Sequence, residues 1–513
     1  MRAWCLVAAV AAAVPAGAQQ RNAASHAPPA ELDAYIRQTV RDWGLPGVAV
    51  AVVRGDSVLF VRGYGVREIG GRDSVDEHTV FDAASLTKSF TATVVAMLVD
   101  EGRMRWDAPV RTYLPELAFS DPYLTANVTL RDLLSHRTGL RASNAMWRTT
   151  GIPRDEVLRR VRFIPVQSSF RTALVYSNVG YTIAGEASAR AAGRQWEALV
   201  RTRILDPLGM RDSFLWSEWA AHAGRDANVA SAHTILGGVH QVVDRRDGTP
   251  ERDGRNGTAP AGSVQSSAWD LARWMRFHLT GGRIDGRKLV SDSALGETHS
   301  PQLVVPTTPA FRETRALRYF AAYGMGWQVW DYRGHPELWH SGSGNGQLAY
   351  MALLPKDSLG VVVLVNTWRA PYIHGAIAGR ILDYYLGVPW QDDSREALRA
   401  DSAAMARSAA AAAGPEPPPG RLARPLAAYA GVYTDPLHGE MTVRAEGDRL
   451  VLQVAHGQVV DLYPERGDTV RTRWRTPLFD AQYRGRAVFA PASGRVRSLT
   501  LPVGRDTVHA TRP

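Results

Sequence analysis

The sequence predicts an α+β unit built on an antiparallel sheet with helices, followed by a small all-β barrel. Three observations carry this. Between about Pro29 and Leu386, hairpins of apolar strands mix with helical periodicities, without strict βαβ alternation. The run Gly414-Pro415-Glu416-Pro417-Pro418-Pro419-Gly420 then breaks the chain, because it cannot continue a helix and stiffens into an extended linker. From about Leu422 to Pro513 the pattern is short strands with Gly-containing turns. A length of 513 residues suits two or three domains.

The elements follow in order. Arg2, the apolar run Leu6–Val14 and Ala16-Gly17-Ala18 read as a leader, residues 1–18, cut after Ala18. The expectation is a secreted or periplasmic chain. The single cysteine, Cys5, falls in that leader. A cysteine nucleophile, a disulfide and a Cys-based metal site are therefore excluded from the mature chain. No later run reaches the roughly 18 apolar residues of a spanning helix.

Val48–Val53 and Val58–Val61 around Gly55-Asp56 predict a buried hairpin. Ala84–Glu101 predicts a helix, with Phe90, Val94, Met97 and Leu98 at helical spacing and a stop at Gly102. Thr129–Ser135 predicts a short helix capped by Thr129, with Asp132 in its first turn. Ser266–Leu279 predicts another, with Leu271, Trp274, Met275 and Leu279 on one face. Leu348–Leu354 and Leu359–Asn366 read as strands around Pro355-Lys356-Asp357, and Ile373–Leu386 as a helix. Residues 19–393 are thus one unit and 394–420 an Ala/Pro-rich linker, helical over Ala397–Ala413. Residues 421–513 form the β domain, with turns at Gly447-Asp448, Gly467-Asp468 and Ser493-Gly494. Leu450, Leu452 and Val454 alternate within it.

Three short motifs carry chemistry. In Ser85-Leu86-Thr87-Lys88 the serine and lysine lie one helical turn apart, so the amine reaches the hydroxyl. The helix N-terminus adds free N–H groups and partial positive charge. In Tyr176-Ser177-Asn178 a phenol beside an ammonium is a proton shuttle, and Asn178 is suited to hold the lysine and a substrate amide. In His340-Ser341-Gly342-Ser343-Gly344-Asn345-Gly346 the small residues permit close backbone approach, and a strand N–H can join that of Ser85 in an oxyanion hole. Each motif alone also fits a surface helix, a turn or a Gly-rich strand end.

Together, in this order, the motifs make the sequence resemble the serine β-lactamase and penicillin-binding-protein superfamily. More narrowly it is similar to the branch with class C β-lactamases, D-Ala-D-Ala carboxypeptidase B, related esterases and D-amino-acid-specific peptidases. Pro46-Gly47-Val48, Gly63-Tyr64-Gly65, Thr138-Gly139-Leu140 and Tyr323-Gly324-Met325-Gly326-Trp327 add to the likeness. Tyr429-Ala430-Gly431-Val432-Tyr433 and Gly439-Glu440-Met441-Thr442-Val443 resemble a lipocalin-like barrel that follows some of these peptidases. The resemblance implies a β-lactamase/transpeptidase-like fold and Ser85 as acylated nucleophile. It implies that Lys88 and Tyr176 share the general-base work and that Asn178 orients. His340, Gly342 and Ser343 would lie beside the substrate, with the N–H groups of Ser85 and Ser343 as the oxyanion hole. His136 would be structural. β-Lactamases carry lysine where this chain has His340, which points to esters, amides or peptides rather than β-lactams.

No cofactor or metal is expected: His233 and His240 are seven apart, without an acidic partner at metal spacing. The formal net charge of +10 comes from scattered residues, without a basic stretch interleaved with aromatics, which argues against a nucleic-acid partner. The aromatic-rich segments Phe214–Trp219 and Tyr319–Trp330 are candidates for core packing or for the apolar wall of an acyl pocket.

Overall fold

The computed structural model describes residues 27–512 except 225–226, 237–238, 244–255, 308–317, 345, 369–371, 391–393, 396–397, 400, 404–405, 408–419 and 456. The expected leader and most of the Pro-rich linker lie outside these residues.

The first unit is built on one eight-stranded antiparallel sheet. Its strands are β1 (Gly47–Arg54), β2 (Ser57–Gly65), β3 (Leu303–Val304), β4 (Ala321–Tyr323), β5 (Gln328–Tyr332), β6 (His335–Gly344), β7 (Gln347–Leu354) and β8 (Leu359–Val365). They run in the order β3-β4-β5-β6-β7-β8-β1-β2. The central strands are apolar throughout because both faces are covered. Alternate residues of β1 enter different cores. Ala49, Ala51 and Val53 pack with Leu271, Trp274 and Met275, whereas Val48, Val50 and Val52 pack with Leu32, Ile36, Ile377 and Ile381. The helices concerned are α1 (Ala30–Asp42) and, later in the chain, Ala268–Leu279 and Ile373–Tyr385.

The predicted helix over 84–101 is a 3₁₀ turn, Ala84–Leu86, continued by α2 (Thr87–Asp100). Ala84 is the reason for the break: its φ is +45°, and its N–H is tied to Asp82 Oδ1 at 2.9 Å. From Thr87 to Leu98 every side chain of α2 is buried, so this helix is the core of the helical layer. Glycine closes it, with Gly102 at φ +71°. The short helix α3 (Leu130–Leu134) carries the reciprocal Thr129–Asp132 capping box.

The second unit is a closed barrel of eight antiparallel strands: β9 (Gly431–Asp435), β10 (Gly439–Glu446), β11 (Arg449–Val454), β12 (Val459–Gly467), β13 (Thr469–Trp474), β14 (Gly485–Ala492), β15 (Arg495–Val503) and β16 (Asp506–Thr511). The β9–β16 and β12–β13 pairings close the ring. All three Gly-containing turns fall where the sequence places them, and Leu450, Leu452 and Val454 point into the barrel core. One element was not foreseen: the helix Pro477–Tyr483 between β13 and β14. It has Pro at its first position, and its Tyr483 carbonyl accepts from Trp474 Nε1–H at 3.1 Å.

The barrel docks on the segment 141–160 of the first unit. The Ala145 N–H donates to Asp506 Oδ2 at 2.8 Å, the Gln458 N–H donates to the Thr149 carbonyl at 3.0 Å, and Arg160 donates to the Leu437 carbonyl at 3.3 Å. Ala145 itself is part of the barrel's apolar core. Among the described residues no helix is long and apolar enough to cross a membrane.

Candidate active site

Three elements converge on the start of α2. The turn Ala84–Leu86 presents Ser85, and one turn on Lys88 is wholly buried. Lys88 Nζ lies 2.9 Å from Ser85 Oγ, 2.8 Å from Asn178 Oδ1 and 2.8 Å from the Ala261 carbonyl. Among the described residues no carboxylate pairs with the amine, and burial pushes its pKa well below the ordinary lysine value. A neutral amine donates two N–H bonds, to Asn178 Oδ1 and the Ala261 carbonyl. Its lone pair is then left for the Ser85 hydroxyl.

The second element is the extended turn before the helix α5, Asn178–Ala192. (The four-residue helix Ala145–Arg148 is α4.) The Tyr176 hydroxyl hydrogen-bonds Ser85, and its ring centroid is 4.8 Å from Lys88 Nζ. Burial raises the phenol above its ordinary value, so it stays protonated. His136 holds this turn: its Nδ1 accepts the Ser177 N–H at 3.1 Å, its carbonyl accepts the Val175 N–H, and its ring centroid is 4.3 Å from that of Tyr176. His136 has φ +58° and is itself neutral, its pKa driven down by burial and the nearby Lys88. Asp132, wholly buried, ties this region together by accepting from Arg137 and Arg171.

The third element is β6. Its pairing with β5 ends at Trp339, while its pairing with β7 runs on to Gly344. Residues 340–344 therefore present an edge without a strand neighbour beside the Ser85 turn. Ser343 is exposed there and lines the cleft with Ser85 and Asn178. Asn345 lies outside the described residues.

Two placements differ from the sequence reading, and the two aromatic-rich segments take the core-packing alternative. His340 is only 3% exposed and does not line the cleft. Its Nδ1–H donates to the Ser341 carbonyl at 2.7 Å and its Nε2 accepts from the Tyr323 hydroxyl at 3.0 Å. Burial and the nearby Lys88 lower its pKa to about 3, so it is neutral. Gly342 admits protein rather than substrate: a Cβ there would stand 2.3 Å from the Ala83 carbonyl oxygen. Phe214, Trp216 and Trp219 form a separate small core with Val80. The segment from Tyr319 likewise stays out of the cleft, Trp330 packing edge-on against Trp339.

The wall is instead made by Asn144, Trp147, Arg148 and, from the barrel, Phe479. Asn144 Oδ1 accepts from Asn178 Nδ2 at 3.1 Å, which links this wall to Lys88. No periodicity or motif singled these residues out; the Asn pair meets only through the fold. His233, weighed in the sequence as a ligand, is spent on the Asn366 carbonyl and the Ile69 N–H. Among the described residues no His/Cys/Asp/Glu group suits a metal ion.

A serine hydroxyl opening a buried helix, a desolvated lysine and a phenol on the same oxygen, and an open strand edge beside them define a serine hydrolase. Comparison with known proteins agrees. The family model described as Beta-lactamase matches residues 32–386, and one described as a domain of unknown function (DUF3471) matches residues 415–511. An unguisins hydrolase from Aspergillus violaceofuscus is 27% identical, over 84% of this chain and 77% of that protein. Penicillin-binding protein 4 from Amycolatopsis lactamdurans is 30% identical, over 63% of this chain and 81% of its own. The structure of the octameric penicillin-binding protein homologue from Pyrococcus abyssi superposes with a TM-score of 0.60 at 21% identity, covering 93% of this chain and 99% of that one. The chain belongs to the β-lactamase family.

Proposed function

We propose that this protein is an exported hydrolase of ester or amide bonds, peptide bonds included, acting through an acyl-enzyme on Ser85. The observation that carries it is Lys88: a buried amine with no carboxylate partner among the described residues, 2.9 Å from the Ser85 oxygen. Ser85 Oγ attacks the carbonyl carbon while its proton passes to Lys88 Nζ. The N–H groups of Ser85 and Ser343 receive the oxyanion. Tyr176, protonated and hydrogen-bonded to Ser85, gives its proton to the leaving group and is reprotonated from Lys88. Water then deacylates by the reverse transfers. Asn178 keeps the amine on Ser85. The Arg2, Leu6–Val14 and Ala16-Gly17-Ala18 pattern supports export.

The cleft offers about 120 Å³, which suits a short acyl group or a single side chain. A neutral His340 supplies no cation for the carboxylate of a β-lactam, so esters and amides rank above β-lactams. The test is labelling by a fluorophosphonate, with Ser85→Ala as control, beside a panel of p-nitrophenyl esters and nitrocefin. Wild type labels and Ser85→Ala does not. Equal labelling of the two removes Ser85 from the chemistry.

A further inference from the structure

Arg148 stands at the rim of the cleft in an unusual setting. Its guanidinium lies 6.0 Å from the Trp147 ring, and 5.7 Å from each of the Phe479 and Tyr483 rings of the barrel. Its hydrogen-bond partner is a neutral amide, Gln482 Oε1 at 3.3 Å, and no described carboxylate pairs with it. In a chain where most buried or half-buried arginines grip an Asp or Glu, as Arg131, Arg137, Arg154 and Arg333 do, this is an exception. Two more donors lie idle beside it: Trp147 Nε1–H and Gln482 Nε2–H, both buried and without an acceptor among the described residues. Asp506, whose charge reaches Tyr483, is taken by the Ala145 N–H and Arg141, so the three kinds of N–H donor are short of an acceptor. Arg148, Trp147 and Phe479 all line the Ser85 cleft.

We propose that Arg148, boxed by Trp147, Phe479 and Tyr483, receives a carboxylate of the substrate, so that the barrel completes the substrate site. The planar guanidinium offers a fork that matches a carboxylate, and the rings hold the fork without neutralising it. The box needs both units: Trp147 comes from α4, Phe479 and Tyr483 from the barrel's Pro477–Tyr483 helix. The Ala145–Asp506 and Thr149–Gln458 bonds hold the barrel against α4, and the Arg148–Gln482 bond reaches the helix itself. Substrates with a free carboxylate, at a peptide C-terminus or on an acidic acyl chain, are the class this selects. The proposal rests on Ser85 being the acylated residue.

Two pairs of esters test it in wild type, Arg148→Gln, Arg148→Lys and Phe479→Ala. One pair is p-nitrophenyl butyrate against the p-nitrophenyl monoester of glutaric acid, which places the carboxylate on the acyl side. The other is phenyl acetate against 4-acetoxybenzoate, which places it on the leaving group. Wild type is expected to favour the carboxylate member of one pair. That ratio falls roughly tenfold or more in Arg148→Gln, the scale of one charge-assisted hydrogen bond, and is partly kept in Arg148→Lys. Phe479→Ala lowers it several-fold. Calorimetry of glutarate against glutaramide gives a readout that needs no turnover: glutarate binds wild type, and binds Arg148→Gln at least tenfold more weakly. A ratio unchanged by Arg148→Gln, or glutarate binding no better than glutaramide, overturns the proposal. Failure of every ester with intact glutarate binding instead overturns the serine-hydrolase reading and leaves the anion site standing.

Discussion

Replacing Lys88 by methionine separates the lysine's catalytic work from its effect on stability. Burial pushes its amine well below the ordinary lysine value, towards the neutral form. Unfolded, it returns to the ordinary lysine value of about 10.4. Between its folded value and that unfolded value, the unfolded chain binds one more proton than the folded one. Stability therefore rises with pH across this window, by about 1.4 kcal/mol per pH unit. It is lost as pH falls, until the folded amine also protonates. Methionine fills a similar volume and cannot titrate. From pH 7.5 to 9.5 the wild type should gain nearly 3 kcal/mol in unfolding free energy relative to Lys88→Met, two units at that slope. Urea unfolding followed by tryptophan fluorescence at the two pH values reads the difference. Ester turnover of Lys88→Met should be down by at least a hundredfold at both. A stability difference that stays constant with pH would show that the folded amine carries a proton, and Lys88 would lose its role as base.

The remaining expectations concern its neighbours. Tyr176→Phe removes the proton donor to the leaving group but leaves the Ser85–Lys88 contact, so kcat on amides should fall by a factor of about 10²–10⁴, and less on p-nitrophenyl esters, whose leaving group needs no proton. His340→Lys places a second amine where burial and Lys88 already oppose charge; about 3 kcal/mol or more of stability should be lost in urea unfolding, and nitrocefin hydrolysis should not rise. Gly342→Ala drives a methyl group against the Ala83 carbonyl and displaces the turn that carries Ser85; fluorophosphonate labelling should slow by an order of magnitude or more while circular dichroism stays native. Because Tyr176 is pushed above its ordinary value, kcat/KM should hold its plateau past pH 9, and a fall below that pH would place the phenol's titration in the working range.

Local signals reached far in this chain, and failed where the neighbour was a matter of tertiary structure. The Ser85–Lys88 spacing is helical geometry and survives even though the first turn is 3₁₀. The Thr129 cap and the barrel turns depend on a few adjacent residues, so they were legible. Gly342 was legible as a place of close approach but not as to what approaches, because a missing Cβ admits substrate and the Ala83 carbonyl alike. Phe214, Trp216 and Trp219 could be read as core or as pocket wall, because aromatic clusters carry no mark of which side they face, and the fold makes them core. Phe479 reaches the cleft on a short helix of another unit, which hydrogen bonds between segments far apart in sequence bring there, and no periodicity encodes that.

The basic groups around Ser85 share one electrostatic state. Lys88, His136 and His340 are all buried, and burial, the largest cause for each, pushes all three towards the neutral form. No fixed positive charge therefore lies beneath the nucleophile in the resting site. An ammonium appears on Lys88 only as Ser85 gives up its proton, at the moment negative charge develops on the substrate oxygen. The attraction between these two charges exists in the transition state and not in the ground state, the condition under which binding energy raises kcat. A permanent cation in the place of His340 would stabilise substrate and transition state together and would hold Lys88 still lower. The positive charge that recognises a resting carboxylate is instead set at the rim, on Arg148, where it binds without altering the proton affinity of the base.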